Sequence, residues 1–216
     1  MVNFQQEKKL ILDFFNDLDS AKNEELVDII FKYTSDNFYM RCTHPFNEIK
    51  GAENVAKHLW EPINNSFRPI QRRMDIFYAG INSHDTNQGI WVSSMGHLMG
   101  VFNKSFFGLQ PNNKSVLLRY AEFYKIENNK ITEGAFFLDL MNFMQQLGLS
   151  IIPESTGFVC VTPGPMNHQG LKFNLSDQNE GEKTLKLIHR MRDRLVEGSN
   201  MKSYKDELEL DWKKDI

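Results

Sequence analysis

Cysteine is nearly absent from this chain. Two occur among 216 residues, Cys42 and Cys160, with no CxxC pair and no histidine at ligand spacing. That excludes a structural zinc site. There is no apolar run long enough to cross a bilayer, and the opening MVNFQQEKK has none of the apolar stretch a secretory leader needs. The expectation is a cytoplasmic protein with no membrane partner. Positive charge is in short supply too: 25 Lys and Arg against 28 Asp and Glu, scattered, for a formal net charge of −3. Phosphate binding needs a concentrated basic surface, so nucleic acid is not an expected partner. The common catalytic signatures are missing as well. No GxGxxG follows a strand, and there is no Walker loop, HExxH or Gly-x-Ser-x-Gly elbow.

What the chain has is an ordinary globular balance, 41% hydrophobic and 25% charged, with 17 phenylalanines and 10 methionines. Its length allows one well-buried domain plus an extension, or two small domains. The phenylalanines and methionines fit an aromatic core, or else a roomy apolar cavity lined by adaptable side chains. Such a surface suits a neutral or weakly charged small-molecule ligand.

Apolar residues fall at helical spacing from Gln5 to Leu18, at Leu10, Ile11, Phe14, Phe15 and Leu18. Asn23 offers an N-cap for a second helix whose stripe is Leu26, Ile29, Ile30 and Tyr33. Asn37 to Thr43 alternates like a strand, and a turn-rich break, HPFNEIKG, leads to a third helix carrying Val55, Leu59 and Trp60. Pro62 is expected to kink or end it. Four antiparallel strands follow: Arg73 to Ala79, Gly89 to Val101, Val116 to Ile126 and Ile131 to Leu138. Asp139 comes next, then a helical set of Leu140, Phe143, Met144 and Leu147 up to Gly148. The pattern predicts an α+β fold, with helices on one face of a strongly curved, mainly antiparallel sheet that encloses a cone. Residues 1–149 make that domain. Residues 150–216 read as an extension: a Pro- and Gly-rich wrap that keeps Ile151, Ile152, Phe158 and Val159, then a helix from about Lys183 to Val196, then a strongly charged end.

Between Gly89 and Gly148 several features occur in a specific order: Gly96-His97, Gly108, Asn113-Lys114, Asn129-Lys130-Ile131, Asp139 and Gln146-Leu147-Gly148. In this the chain resembles the SnoaL-like polyketide cyclases of the nuclear transport factor 2-like superfamily, over residues 5–149. PESTGFVCVTPGPMNHQGL and the helix TLKLIHRMRDRL resemble the linker of relatives that carry two such domains. The resemblance thus implies the first domain of a two-domain type. It also implies a cone with a deep apolar pocket and an intramolecular aldol step without metal or cofactor. An acidic residue after the last strand would shuttle the proton, and Asp139 holds that position.

The residues themselves support several roles. Asp139 lies among apolar neighbours, where burial raises a carboxyl toward useful acid-base values; equally, it can simply cap the helix after it. His97 shares a strand face with Trp91, Ser93, Met95 and Met99, and could hydrogen-bond a substrate carbonyl or sit satisfied in the core. Tyr120, Glu122 and Tyr124 share one face of the next strand. An inward Glu122 would lie near Asp139 and perturb it, or would pair with a basic residue instead. Arg41, Arg73 and Asp75 could meet inside the cone as a structural network. His44 is placed at the pocket mouth, with Trp60, Trp91 and Phe137 as walls. Three functions follow: cofactor-independent cyclisation or isomerisation of a polyketide-like carbonyl compound; a non-catalytic module of the same fold binding a small apolar ligand or a partner; and an epoxide or ester hydrolase with a second polar group holding water beside Asp139. The outer sheet face invites a homodimer.

Overall fold

The computed structural model describes residues 3–82, 89–149, 153, 164–165 and 167–198. Helix α1 (Gln5–Ser20) buries Ile11, Phe14, Phe15 and Leu18, the stripe its spacing predicts. A 3₁₀ turn, Asn23–Glu25, enters α2 (Leu26–Tyr33). The expected cap is not made by Asn23, whose amide donates to Asn65 at 2.7 Å; instead the Glu25 carboxylate accepts from the Lys22 N–H at 2.8 Å. Strand β1 (Thr34–Cys42) is followed by a short strand, β2 (Glu48–Lys50), inside the expected turn-rich break. Three residues with only Ile49 buried give no readable period.

The third helix, α3 (Ala52–Val55), widens into a π turn at Ala56–Trp60 and continues as α4 (Glu61–Ser66). Pro62 therefore does not end it. It sits in the first turn of α4, where a missing N–H costs little, and the π turn ahead of it absorbs the mismatch.

The remaining strands are β3 (Phe67–Ile81), β4 (Ile90–Phe102), β5 (Ser115–Glu127) and β6 (Lys130–Leu138). The sheet runs β2-β1-β6-β5-β4-β3, with β1 and β6 parallel and every other neighbouring pair antiparallel. The inner, helix-covered face takes the even residues of β4 and β5: Val92, Leu98 and Phe102, then Leu118, Tyr120 and Tyr124, all buried in one aromatic-rich core. The outer face takes Trp91, Ser93 and His97, and across from them Lys125, Phe123 and Arg119.

In β3 the alternation slips. A bulge between Met74 and Ile76 leaves Asp75 as the extra residue, so that Arg72 faces inward before it and Phe77 after it. Opposite the bulge, Gly96 lets the strands close in: a Cβ there would overlap the Arg73 carbonyl. Gly96→Ala is expected to lose about 1–3 kcal/mol by overpacking, read as a lowered urea midpoint. A wild-type midpoint would contradict the close approach.

Helix α5 (Leu140–Gln146) is pinned to β5 by Gln146, which accepts from the Leu117 N–H (2.9 Å) and donates to the Leu117 carbonyl (2.8 Å). Farther on, the chain returns to the β3 edge. Phe77 donates its N–H to Gly170 (2.8 Å) and accepts from Lys172 (2.7 Å), and the Phe77 and Phe173 rings lie 5.3 Å apart. Lys8 reaches from α1 to the Lys172 carbonyl at 2.6 Å, and burial lowers its ammonium below the ordinary value.

The chain forms two compact units, Met1–Asn174 and Leu175–Ile216. Helix α6 (Gln178–Gly198) belongs to the second, is longer at both ends than the spacing predicts, and leaves Leu185, Ile188 and Leu195 exposed. Among the described residues no helix is long and apolar enough to cross a membrane. The apolar residues of the expected wrap, Ile151, Ile152, Phe158 and Val159, lie outside the described residues, as does Cys160.

Candidate functional site

Inside the cone the polar centre is Arg72. Its guanidinium donates to Glu122 at 2.6 Å and grips Asp19 of α1 with two nitrogens at 2.9 and 3.1 Å. It also lies 4.1 Å from the Phe15 ring centroid and 5.0 Å from that of Tyr120. The other oxygen of Glu122 accepts from the Tyr124 hydroxyl at 2.9 Å. Glu122 is fully buried and the Arg72 side chain is 3% exposed. Burial lifts the Glu122 carboxyl above its ordinary range, against the downward pull of Arg72 and Tyr124. The neighbouring carboxylates hold Arg72 firmly charged. Burial also pushes Tyr120 up to about 12, with its hydroxyl 3.0 Å from Ser94. The Cys42 thiol is likewise raised to about 12, so it stays protonated and is a poor nucleophile.

The outer face carries a separate arrangement. Lys125, 5% exposed, lies 3.3 Å from both Glu127 and Glu133. Glu133 accepts from the Tyr39 hydroxyl at 2.6 Å, and Arg41 donates to the same hydroxyl at 2.6 Å. Beside this network a cavity of about 460 Å³ opens, walled by Tyr78, Trp91, Phe123 and Phe137, with the small residues Ser93 and Ala135 across the strands between them. Its volume is in the usual range for small-molecule pockets.

Asp139 follows β6 directly. Its N–H donates to the Arg119 carbonyl at 2.9 Å, and its carboxylate Oδ1 accepts from the Asn142 N–H at 3.0 Å, making it the N-cap of α5. It is half-buried, and its second oxygen takes no hydrogen bond among the described residues. The register runs Arg73–His97–Arg119 across β3, β4 and β5, and Asp139 closes that row beyond Leu138.

These positions separate residues that the sequence grouped. Glu122 faces inward with Tyr124, and its charge partners are Arg72 and Asp19 rather than Asp139. Arg41, Arg73 and Asp75 do not meet inside the cone: Arg41 and Arg73 are exposed, and Asp75 bonds His97 on the outer face at 3.1 Å. His44 is exposed in the turn between β1 and β2. Trp60 is core, 5.6 Å from the Phe136 ring. Trp91 and Phe137 wall the outer cavity. Sequence reasoning missed Arg72 and Asp19. A signal for Asp19 was present: it lies four residues after Phe15, on the same buried face of α1.

Residues 84–147 match the model of the SnoaL-like polyketide cyclase family. Solved structures share the fold. A candidate SnoaL-like polyketide cyclase from Jannaschia sp. CCS1 is 16% identical with a TM-score of 0.54, over 68% of this chain and 94% of that one. A candidate polyketide cyclase from Xanthomonas campestris pv. campestris is 16% identical at 0.51, over 68% and 99%. A candidate SnoaL-like polyketide cyclase from Shewanella putrefaciens CN-32 is 14% identical at 0.51, over 66% and 86%. No curated protein matches the sequence.

Proposed function

We propose that this chain is a small-molecule enzyme of the polyketide cyclase type, moving a proton next to a carbonyl without a cofactor, in an aldol-type cyclisation or an isomerisation. Asp139 is the proton-handling group. One observation carries this reading: Oδ1 is held by the Asn142 N–H while the second oxygen has no partner among the described residues. A carboxylate aimed by a backbone amide and free on one side is built to take a proton from a positioned substrate. The substrate class, a neutral polyketide-like carbonyl compound, is supported by the matched family model. The test is turnover of an aryl β-keto ester by wild type and by Asp139→Asn, a variant that still accepts the Asn142 bond. Equal turnover would sink the assignment.

A second reading, a binding module without catalysis, is favoured by the closed state of the inner network. Both Glu122 oxygens are spent on Arg72 and Tyr124, so that carboxylate is not available to a ligand. Under that reading the purified chain retains a small apolar molecule in native mass spectrometry and converts no ketoester.

The outer face fits a second copy of the chain. Tyr78, Ile81 and Phe137 are each nearly half-exposed on one continuous patch, and apolar patches of this kind mark association surfaces. Native mass spectrometry is expected to give a dimer that Phe137→Lys converts to monomer; a wild-type monomer at micromolar concentration would refute it.

A further inference from the structure

His97 and Asp75 form a pair that neither the inner network nor Asp139 uses. Three features fix it. The β3 bulge supplies Asp75 as an extra residue and turns it onto the outer face, where its Oδ2 lies 3.1 Å from His97 Nδ1. Two glycines of the returning chain press on Asp75: a Cβ on Gly164 would overlap the Asp75 side chain, and one on Gly170 would meet its carbonyl at 2.5 Å. His97 is 9% exposed, and its Nε2 is buried with no hydrogen-bond partner among the described residues.

A carboxylate on Nδ1 selects the tautomer with the proton on Nδ1, which leaves Nε2 as a lone-pair acceptor. A buried acceptor left unmade is unfavourable, and native proteins rarely keep one without a use. The row to which His97 belongs adds a second clue. Arg73 and Arg119 flank it on the adjacent strands, each about 5 Å away between Cα atoms. Neither arginine has an ion-pair partner among the described residues. An acceptor nitrogen between two cations suits an acidic hydroxyl, which donates its proton to the nitrogen and places its electron-rich oxygen near the guanidinium groups. Phenols and the enol forms of β-dicarbonyl compounds have this chemistry. The position is about 13 Å along β4 from Ser93 of the outer cavity.

We infer that Asp75 and His97 are a fixed-tautomer pair whose Nε2 binds the acidic hydroxyl, phenolic or enolic, of a small-molecule ligand. Asp75 is a positioning residue and His97 is the group that touches the ligand. This deepens the carbonyl-substrate reading by naming the group the ligand presents, yet its test reads binding and tautomer rather than turnover. Its failure is thus distinguishable from failure of the Asp139 assignment.

The experiment uses the full chain with ¹⁵N-labelled histidine, the His97 ring nitrogens assigned with His97→Gln, and two probes, 1-naphthol and 1-methoxynaphthalene. In the free protein Nδ1 should carry the proton. 1-Naphthol should shift the Nε2 resonance on binding, while the methyl ether, which has no proton to donate, should leave it in place. Asp75→Asn, the same shape without the charge, should lose the fixed tautomer and weaken 1-naphthol binding at least tenfold. If Asp75→Asn fails to fold, the two-probe comparison on wild type decides alone. A proton on Nε2 in the free protein, equal shifts from both probes, or no shift from either would overturn the inference.

Discussion

Arg72→Met is expected to destabilise the first compact unit by about 3–5 kcal/mol, the usual cost of removing one partner from a buried ion pair. The reason is geometric. Glu122 is fully buried, and Arg72 is the only cation within hydrogen-bond distance of it among the described residues. Without Arg72 the carboxylate keeps only the Tyr124 hydroxyl. The double variant Arg72→Met/Glu122→Leu should recover most of the loss, because well-packed apolar replacements of a buried pair are often close to neutral. The pH dependence adds a second signature. Glu122 is raised above its unfolded value by burial, so its contribution to stability is largest below the ordinary glutamate range. That contribution is lost as pH rises through the raised folded value. Deleting Arg72 removes the main downward pull, so the single variant should lie nearest wild type in mild acid and fall farther behind toward neutral pH. Urea unfolding at several pH values reads both effects; a pH-independent gap below 1 kcal/mol would contradict the buried-pair account.

The second large effect concerns Asp139. Proton transfer by a positioned side chain is worth about 10²- to 10⁴-fold, so Asp139→Asn is expected to lose that much turnover while keeping wild-type stability. Asparagine caps helices as well as aspartate does, and can accept the same Asn142 N–H. Asp139→Ala loses both functions, turnover by the same factor and stability by about 0.5–2 kcal/mol. The pair therefore separates the two roles that the sequence left open. If Asp139→Ala alone loses stability and neither variant loses turnover, Asp139 is a cap and nothing more.

Much of the fold was legible because its elements keep an uninterrupted period. Helix α1 shows its stripe at Ile11, Phe14, Phe15 and Leu18, and strands β4 and β5 sort cleanly into two faces. What alternation cannot say is which face is inner. That depends on where the helices pack, and so Glu122 and His97 could not be assigned to opposite sides of the sheet in advance. The site was harder still at β3. Arg72 and Arg73 are adjacent, and a period-2 reading carried from one end of the strand puts the wrong one inside once the bulge at Asp75 inserts a residue. The same bulge created the Asp75–His97 pair, joining two residues whose contact no spacing rule would announce. Pro62 misled for a related reason, because the π turn before it has no sequence signature of its own.

Removal of a proton next to a carbonyl by Asp139, as proposed, is read by solvent deuterium incorporation into an aryl β-keto ester, followed by NMR. Wild type should exchange the proton between the two carbonyls well above the buffer rate, and Asp139→Asn, folded to the same stability, should fall back toward that rate. Equal exchange by the two proteins, or no exchange above buffer by wild type, would contradict the account.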